Sequence, residues 1–180
     1  MKYFADVRGA IDGTHIAAYI PVKFQTPFRN RKRTLSQNVL AGCTFDMHFF
    51  YILPGWEGSA NDSRVLDNAI LRGFPQLPGH IYLADAGCGM RPGILTPYKG
   101  VRYHFREQAK SARAPATKEE LVNLRNAQLR NVIERIFSVL KKSFQILQGA
   151  PQYEYNVRVG LNLIFLMHYF KPLVKTYDNV

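Results

Sequence analysis

Apolar residues recur along this chain in two rhythms, and each rhythm predicts a different kind of element. From Thr117 to about Leu147 they return every three or four positions. Wound at 3.6 residues per turn, Ile133, Ile136, Phe137, Leu140, Phe144 and Leu147 share one face, which predicts a long helix. Glu134 falls at the border of that face, with Arg130, Ser138 and Lys141 close to it on the wheel. Arg130 precedes Glu134 by four positions, the weaker orientation for a helical ion pair, so helix stability explains the pair poorly. A shorter helix is expected from Asn61-Asp62-Ser63 to Leu71, burying Val65, Leu66, Ala69 and Ile70. Asp62 there reads most simply as a first-turn acid that favours the helix dipole, with a metal role as the lesser alternative. A last helix is expected over Asn156–Phe170, with Val157, Leu161, Ile164, Phe165 and His168 at helical spacing.

Elsewhere the apolar positions come in short β-branched and aromatic blocks. Val7–Asp12 and His15–Ile20 read as strands separated by an Asp12-Gly13-Thr14 turn, the second stopped by Pro21. Gln37–Thr44 and His48–Leu53 read as a hairpin, His80–Ala84 as a buried strand, and Val101–Phe105 as a short one. Pro54–Ser59, Met90–Gly100 and Arg106–Pro115 read as loops. An early antiparallel set, a later strand beside the first and helices packed on the sheet predict an α/β, ribonuclease H-like fold, with a mixed central sheet and flanking helices. The 180 residues are expected to form a single domain. In that layout the first and fourth strands are neighbours. Two apolar strands then deliver an aspartate just ahead of a glycine, as Asp12-Gly13 and Asp85-Ala86-Gly87. One such aspartate is a turn residue; two, in company with Glu134, make a pattern.

Composition narrows the partners. The formal net charge is +11, which for one domain points to a polyanion, with DNA foremost. Arg29, Arg31, Lys32 and Arg33 place four positive charges in five residues. They read as a solvated loop or as a phosphate-contacting arm, and the run also resembles a nuclear localisation signal. Two cysteines in unlike contexts, Cys43 and Cys88, make neither a disulfide framework nor a zinc site and fit a reducing compartment. The longest apolar run, Leu161–Phe170, is too short to span a bilayer.

Three carboxylates at one end of a sheet repel one another unless a positive charge lies among them. Hard oxygen donors suit Mg2+ or Mn2+, and two such ions can support in-line displacement at a phosphodiester. Arg130 and Lys141 would then join the basic arm in holding DNA phosphates. No Walker loop, G-x-G-x-x-G or G-x-S-x-G turn is present.

Five blocks carry a resemblance: GAIDGTHI (Gly9–Ile16), GWEGSANDSRVL (Gly55–Leu66), YLADAGC (Tyr82–Cys88), PYKGVRYHF (Pro97–Phe105) and LRNVIERIFSVLKKSF (Leu129–Phe144). In this order, over residues 4 to 172, they resemble the PIF/Harbinger transposases and the nucleases derived from them, whose catalytic unit is the DDE superfamily endonuclease domain. The resemblance implies metal-dependent DNA cleavage, with strand transfer open to it, and places the catalytic and metal-binding triad on Asp12, Asp85 and Glu134. Asp62 is a motif residue outside that triad. The resemblance further implies a Myb-like partner protein, nuclear import and self-association. The family's N-terminal helical DNA-binding region is expected to be absent. The chain departs from the pattern at Cys88, Ser138, Ser143 and Met167-His168-Tyr169. The alternative is therefore a domesticated or degenerate protein that binds DNA or a Myb-like partner without cutting. A ribonuclease acting on RNA–DNA hybrids rests on fold analogy alone.

Overall fold

The segment Ser36–Thr44 is apolar or small at nearly every position, and it forms a strand, β2, that is buried on both faces. It lies inside a five-stranded sheet with β1 (Val7–Ala17), β3 (Phe49–Glu57), β4 (Ile81–Leu83) and β5 (Ile94–Leu95), in the order β3-β2-β1-β4-β5. β1 pairs antiparallel with β2 and parallel with β4; β2–β3 is antiparallel and β4–β5 parallel. The computed structural model describes residues 4–101, 115–150, 152–154, 156, 157, 159–161 and 164. The strand expected at Val101–Phe105, the loop at Arg106–Pro115 and the helix at Asn156–Phe170 lie wholly or largely outside these.

Three α-helices are described: a single turn α1 (Gln25–Phe28), α2 (Asp62–Leu71) and α3 (Lys118–Ser143). Strand alternation divides the core between the sheet's two faces. Ala10, Ile16, Val39, Ala41 and Leu83 meet Ile133, Ile136, Phe137 and Leu140 of α3. Ile11, Leu40 and Tyr82 meet Val65, Leu66 and Ala69 of α2 with Phe50 and Phe74. The sheet is mixed and flanked by helices, the ribonuclease H-like α/β layout expected from the sequence. Among the described residues no helix is long and apolar enough to cross a membrane.

The differences from expectation are local and have physical reasons. Asp12-Gly13-Thr14 is not a turn: β1 runs unbroken for 11 residues, because its ladder with β2 continues through Asp12↔Ala41, Gly13↔Leu40 and Thr14↔Val39. Pro54 and Gly55 lie within β3 instead of a loop. β3 is an edge strand, so a missing proline N–H is tolerated, and the register shifts there. Ile94–Leu95, expected in a loop, adds a short parallel strand to β4. α3 begins at an N-cap, where Thr117 Oγ1 accepts from Glu120 N at 3.1 Å. It ends at Ser143, because Phe144 takes an extended conformation (φ −122°, ψ 96°), and Gln145–Leu147 continue only as a 3-10 turn.

Candidate metal centre

β1 carries Asp12 just past the last residue it pairs with β4, Ala10↔Leu83, and Asp85 follows two residues beyond the end of β4. Both acids therefore leave the sheet where its parallel portion ends. Alternation along β1 sends Asp12 and Thr14 towards α3, and Gly13 and His15 towards α2. Asp12 Oδ1 accepts from Gly13 N at 2.9 Å. Asp85 caps the 3-10 turn Ala86–Cys88, its Oδ1 accepting from Ala86 N at 2.6 Å.

A third aspartate joins them, and it is not the acid the sequence pattern singled out. Asp62 is the first residue of α2, set by Asn61, whose Oδ1 caps Ser63 N at 2.9 Å. A Cβ built on Gly13 would lie 3.0 Å from Asp62 Oδ1. A Cβ built on Gly87 would lie 3.4 Å from Asp62 Oδ2 and 3.7 Å from Asp85 Oδ2. The two glycines thus face the acids and leave the space beside them clear. The dipole reading of Asp62 holds locally, since it sits in the first helical turn, but only tertiary packing brings it beside Asp85.

Arg130 supplies the positive charge. Its Nη2 donates to Asp12 Oδ2 at 3.0 Å, and its Nη1 lies 3.9 Å from Asp85 Oδ1. The Arg130 side chain is 7% exposed and that of Asp12 20%. Burial nevertheless dominates Asp12 and pushes its carboxyl up from the usual 3.8 to about 6, against the attraction of Arg130 and with repulsion from Asp85 and Asp62. Cys88 is pushed up to about 12, chiefly by burial and then by Asp62, Asp12 and Asp85. It is a neutral thiol beside the acids, unsuited as a thiolate ligand.

Glu134 stands apart from the three aspartates. It is exposed on α3, one turn after Arg130, and its carboxylate makes no ion pair among the described residues. Arg130 touches Asp12, while Lys141 Nζ donates to Thr14 Oγ1 at 2.7 Å and to the His15 carbonyl at 2.8 Å. Glu134 lies between Arg130 and Lys141 along α3.

The cations expected to hold phosphate fall into two groups. Arg130 is buried against the acids and Lys141 is half-buried on β1, so both are engaged within the protein, because α3 lies directly over β1. Arg29, Arg31, Lys32 and Arg33 are exposed. Asn30 builds the turn that presents them, its Oδ1 accepting from Lys32 N at 2.9 Å and Thr34 N at 3.1 Å, with Arg33 at φ 62°. Arg31 and Lys32 are close enough to His15 to lower its pKa, though burial is the larger cause; Lys32 acts likewise on Lys141. The basic arm therefore lies near His15 and Lys141, on the half of β1 that follows Asp12.

The donor set fits a hard divalent cation: carboxylate oxygens only, with two glycines leaving room. It is not a closed cage, since among the described residues no three His, Cys, Asp or Glu side chains stand in metal-ligating geometry. Sequence reasoning passed over Asn38 and His15, and held a metal role for Asp62 only as the lesser alternative. The one local signal was a pair of polar residues, Gln37 and Asn38, leading into the apolar run Val39–Cys43.

A family model described as DDE superfamily endonuclease matches residues 11–169. A curated relative, Protein ALP1-like of Arabidopsis thaliana, is 26% identical over 160 residues, covering 79% of this chain and 36% of the relative. The chain thus spans about a third of the length of that relative. No solved structure matches the chain.

Proposed function

The chain belongs to the DDE superfamily endonuclease family, and on that premise we propose that it cuts DNA at a site built from Asp12, Asp62, Asp85 and Glu134. Members of this family use divalent metals. Mg2+ or Mn2+, held as a pair when bound, would supply Lewis acidity at the scissile phosphate and an activated water for in-line displacement. The observation that carries the reading is the gathering of Asp12, Asp62 and Asp85 where the parallel strands end, with Asp12 held near 6 by burial. A buried carboxylate with a raised pKa among other acids is a frequent mark of a functional site.

The chain's own residues divide the work. Asp12 offers a carboxylate whose ionised form is poorly stabilised by its surroundings, and so gains most from a cation. Arg130 neutralises part of the cluster in the metal-free protein. The Arg29–Arg33 arm and the end of α3 steer and hold the backbone phosphates. Glu134, exposed on α3 one turn after Arg130, would be the further carboxylate offered to the ion when DNA and metal are bound.

The test is nicking of supercoiled plasmid in Mn2+ by wild type and by Asp85→Asn. Cutting by wild type that disappears in Asp85→Asn, with the fold preserved by circular dichroism, is expected. Equal cutting by both proteins would remove Asp85 from the site. A second reading, a DNA- or Myb-like-partner-binding protein that does not cut, is favoured by the Arg130–Asp12 pair and by Glu134 standing free of the aspartates. Tight, salt-sensitive DNA binding with no Mn2+ site and no nicking would select it. Nuclear location, strand transfer and self-association follow from the first reading and are part of the proposal.

A further inference from the structure

Asn38 sits on β2 in the middle of the sheet and is 1% exposed. Its Nδ2 donates to Asp62 Oδ1 at 3.3 Å, while its Oδ1 is buried with no hydrogen-bond partner among the described residues. The opposite amide orientation would set an oxygen against a carboxylate oxygen, so the donor must be the group that faces Asp62. An apolar side chain of the same size would fill this position without stranding an acceptor, so core stability does not account for the asparagine. Gly13 is part of the same arrangement. A Cβ there would lie 2.9 Å from Asn38 Oδ1 and 3.0 Å from Asp62 Oδ1.

We propose that Asn38 is a positioning residue: it holds one oxygen of Asp62 so that the other faces the space shared with Asp85. The inference rests on the metal-centre reading above and deepens it. Asp62 Oδ1 is occupied by Asn38 across Gly13, and Asp62 Oδ2 lies beside Asp85 across Gly87. Arg91 completes the arrangement. Its Nη2 donates to Ser63 Oγ at 2.8 Å and to the Cys88 carbonyl at 2.7 Å, and its Nη1 pairs with Asp67. It therefore ties the first turn of α2 to the turn that follows Asp85. Arg91 sets the separation of the two acids, and Asn38 sets the rotation of one of them. A hydrogen bond to the outer oxygen of a ligating carboxylate fixes its orientation and raises affinity for the ion.

The experiment measures free Mn2+ by electron paramagnetic resonance during titration into wild type, Asn38→Leu and Asn38→Thr, with thermal unfolding of each protein in the absence of metal. Asn38→Leu is expected to unfold no earlier than wild type, yet to bind Mn2+ about 10–100-fold more weakly. Asn38→Thr, whose hydroxyl sits one bond nearer the backbone and falls short of an oxygen already 3.3 Å from the asparagine Nδ2, is expected to bind as weakly as Asn38→Leu. Should the leucine not fit, Asn38→Ala removes the donor without steric demand, and the same drop is expected of it. Unchanged Mn2+ affinity in the folded donor-free variant overturns the inference and leaves the metal centre standing. So does a folded Asn38→Thr that binds Mn2+ as tightly as wild type. A wild type without any Mn2+ site removes both readings together.

Discussion

Asp12→Asn should make the metal-free protein more stable, an unusual outcome for a near-isosteric change inside a sheet. The Asp12 carboxyl titrates at about 6 when folded against an ordinary value of 3.8, with burial the dominant cause and Arg130 only partly offsetting it. A folded pKa raised above the unfolded one means that the favourable contribution of the neutral form is fully present below about pH 4. It is lost as pH rises through about 6. At pH 7 the charged form therefore costs roughly two pKa units, or about 3 kcal/mol, at 1.36 kcal/mol per unit. Asparagine mimics the protonated acid and avoids that cost. For a domain of this size about 3 kcal/mol corresponds to roughly 6–12 °C in the unfolding midpoint. The assay is thermal unfolding by circular dichroism in chelator, for both proteins, at pH 7 and at pH 4. The variant should lead at pH 7 and the two should converge at pH 4. Saturating Mn2+ should then narrow the pH 7 gap by stabilising wild type alone, by about 2.7 kcal/mol at a hundredfold excess over Kd. A variant no more stable than wild type at pH 7, or a gap that persists at pH 4, would refute the claim that Asp12 is held ionised at a cost.

Other outcomes follow from the same geometry. Arg130→Met removes the partner of a buried carboxylate and should destabilise the protein by about 3–5 kcal/mol at pH 7. The loss should be smaller at pH 5, where Asp12 is already largely protonated; chemical denaturation at the two pH values checks this. Neutralising Arg31, Lys32 and Arg33 together should reduce the slope of log affinity for duplex DNA against log salt by about 3, if each contacts one phosphate; an unchanged slope in fluorescence anisotropy removes that loop from the DNA contact. Glu134→Gln alters an exposed side chain and should shift stability by less than about 0.5 kcal/mol, while abolishing metal-dependent nicking. Retained nicking in a folded Glu134→Gln takes that residue out of the centre.

The sequence by itself determined most of the elements and which candidate residues they carry. α2 and the long α3 are written in a local period of 3.6 residues, because burying one face requires that spacing, while β2, β3 and β4 are written as short apolar blocks bounded by turn residues. Asp12, Asp85 and the basic run Arg29–Arg33 were legible for a similar reason: they lie beside local signals, a glycine after a strand or a block of like charge. The tertiary structure decided which of these residues meet. The turn preference of Asp12-Gly13 is a local bias, and it gave way to a continuous ladder with β2 whose pairs lie some thirty residues away in the chain. Arg130 looked like a helix-surface cation, yet it turns inward to Asp12, 118 positions distant in sequence, because α3 packs across β1. Asp62 read as a helix-start acid until packing of α2 against the turn after β4 set it beside Asp85, with Asn38 holding one of its oxygens. Periodicity records how a segment buries its own surface. It carries no record of which distant charge ends up opposite, and a site made of several acids and one arginine consists of such pairings.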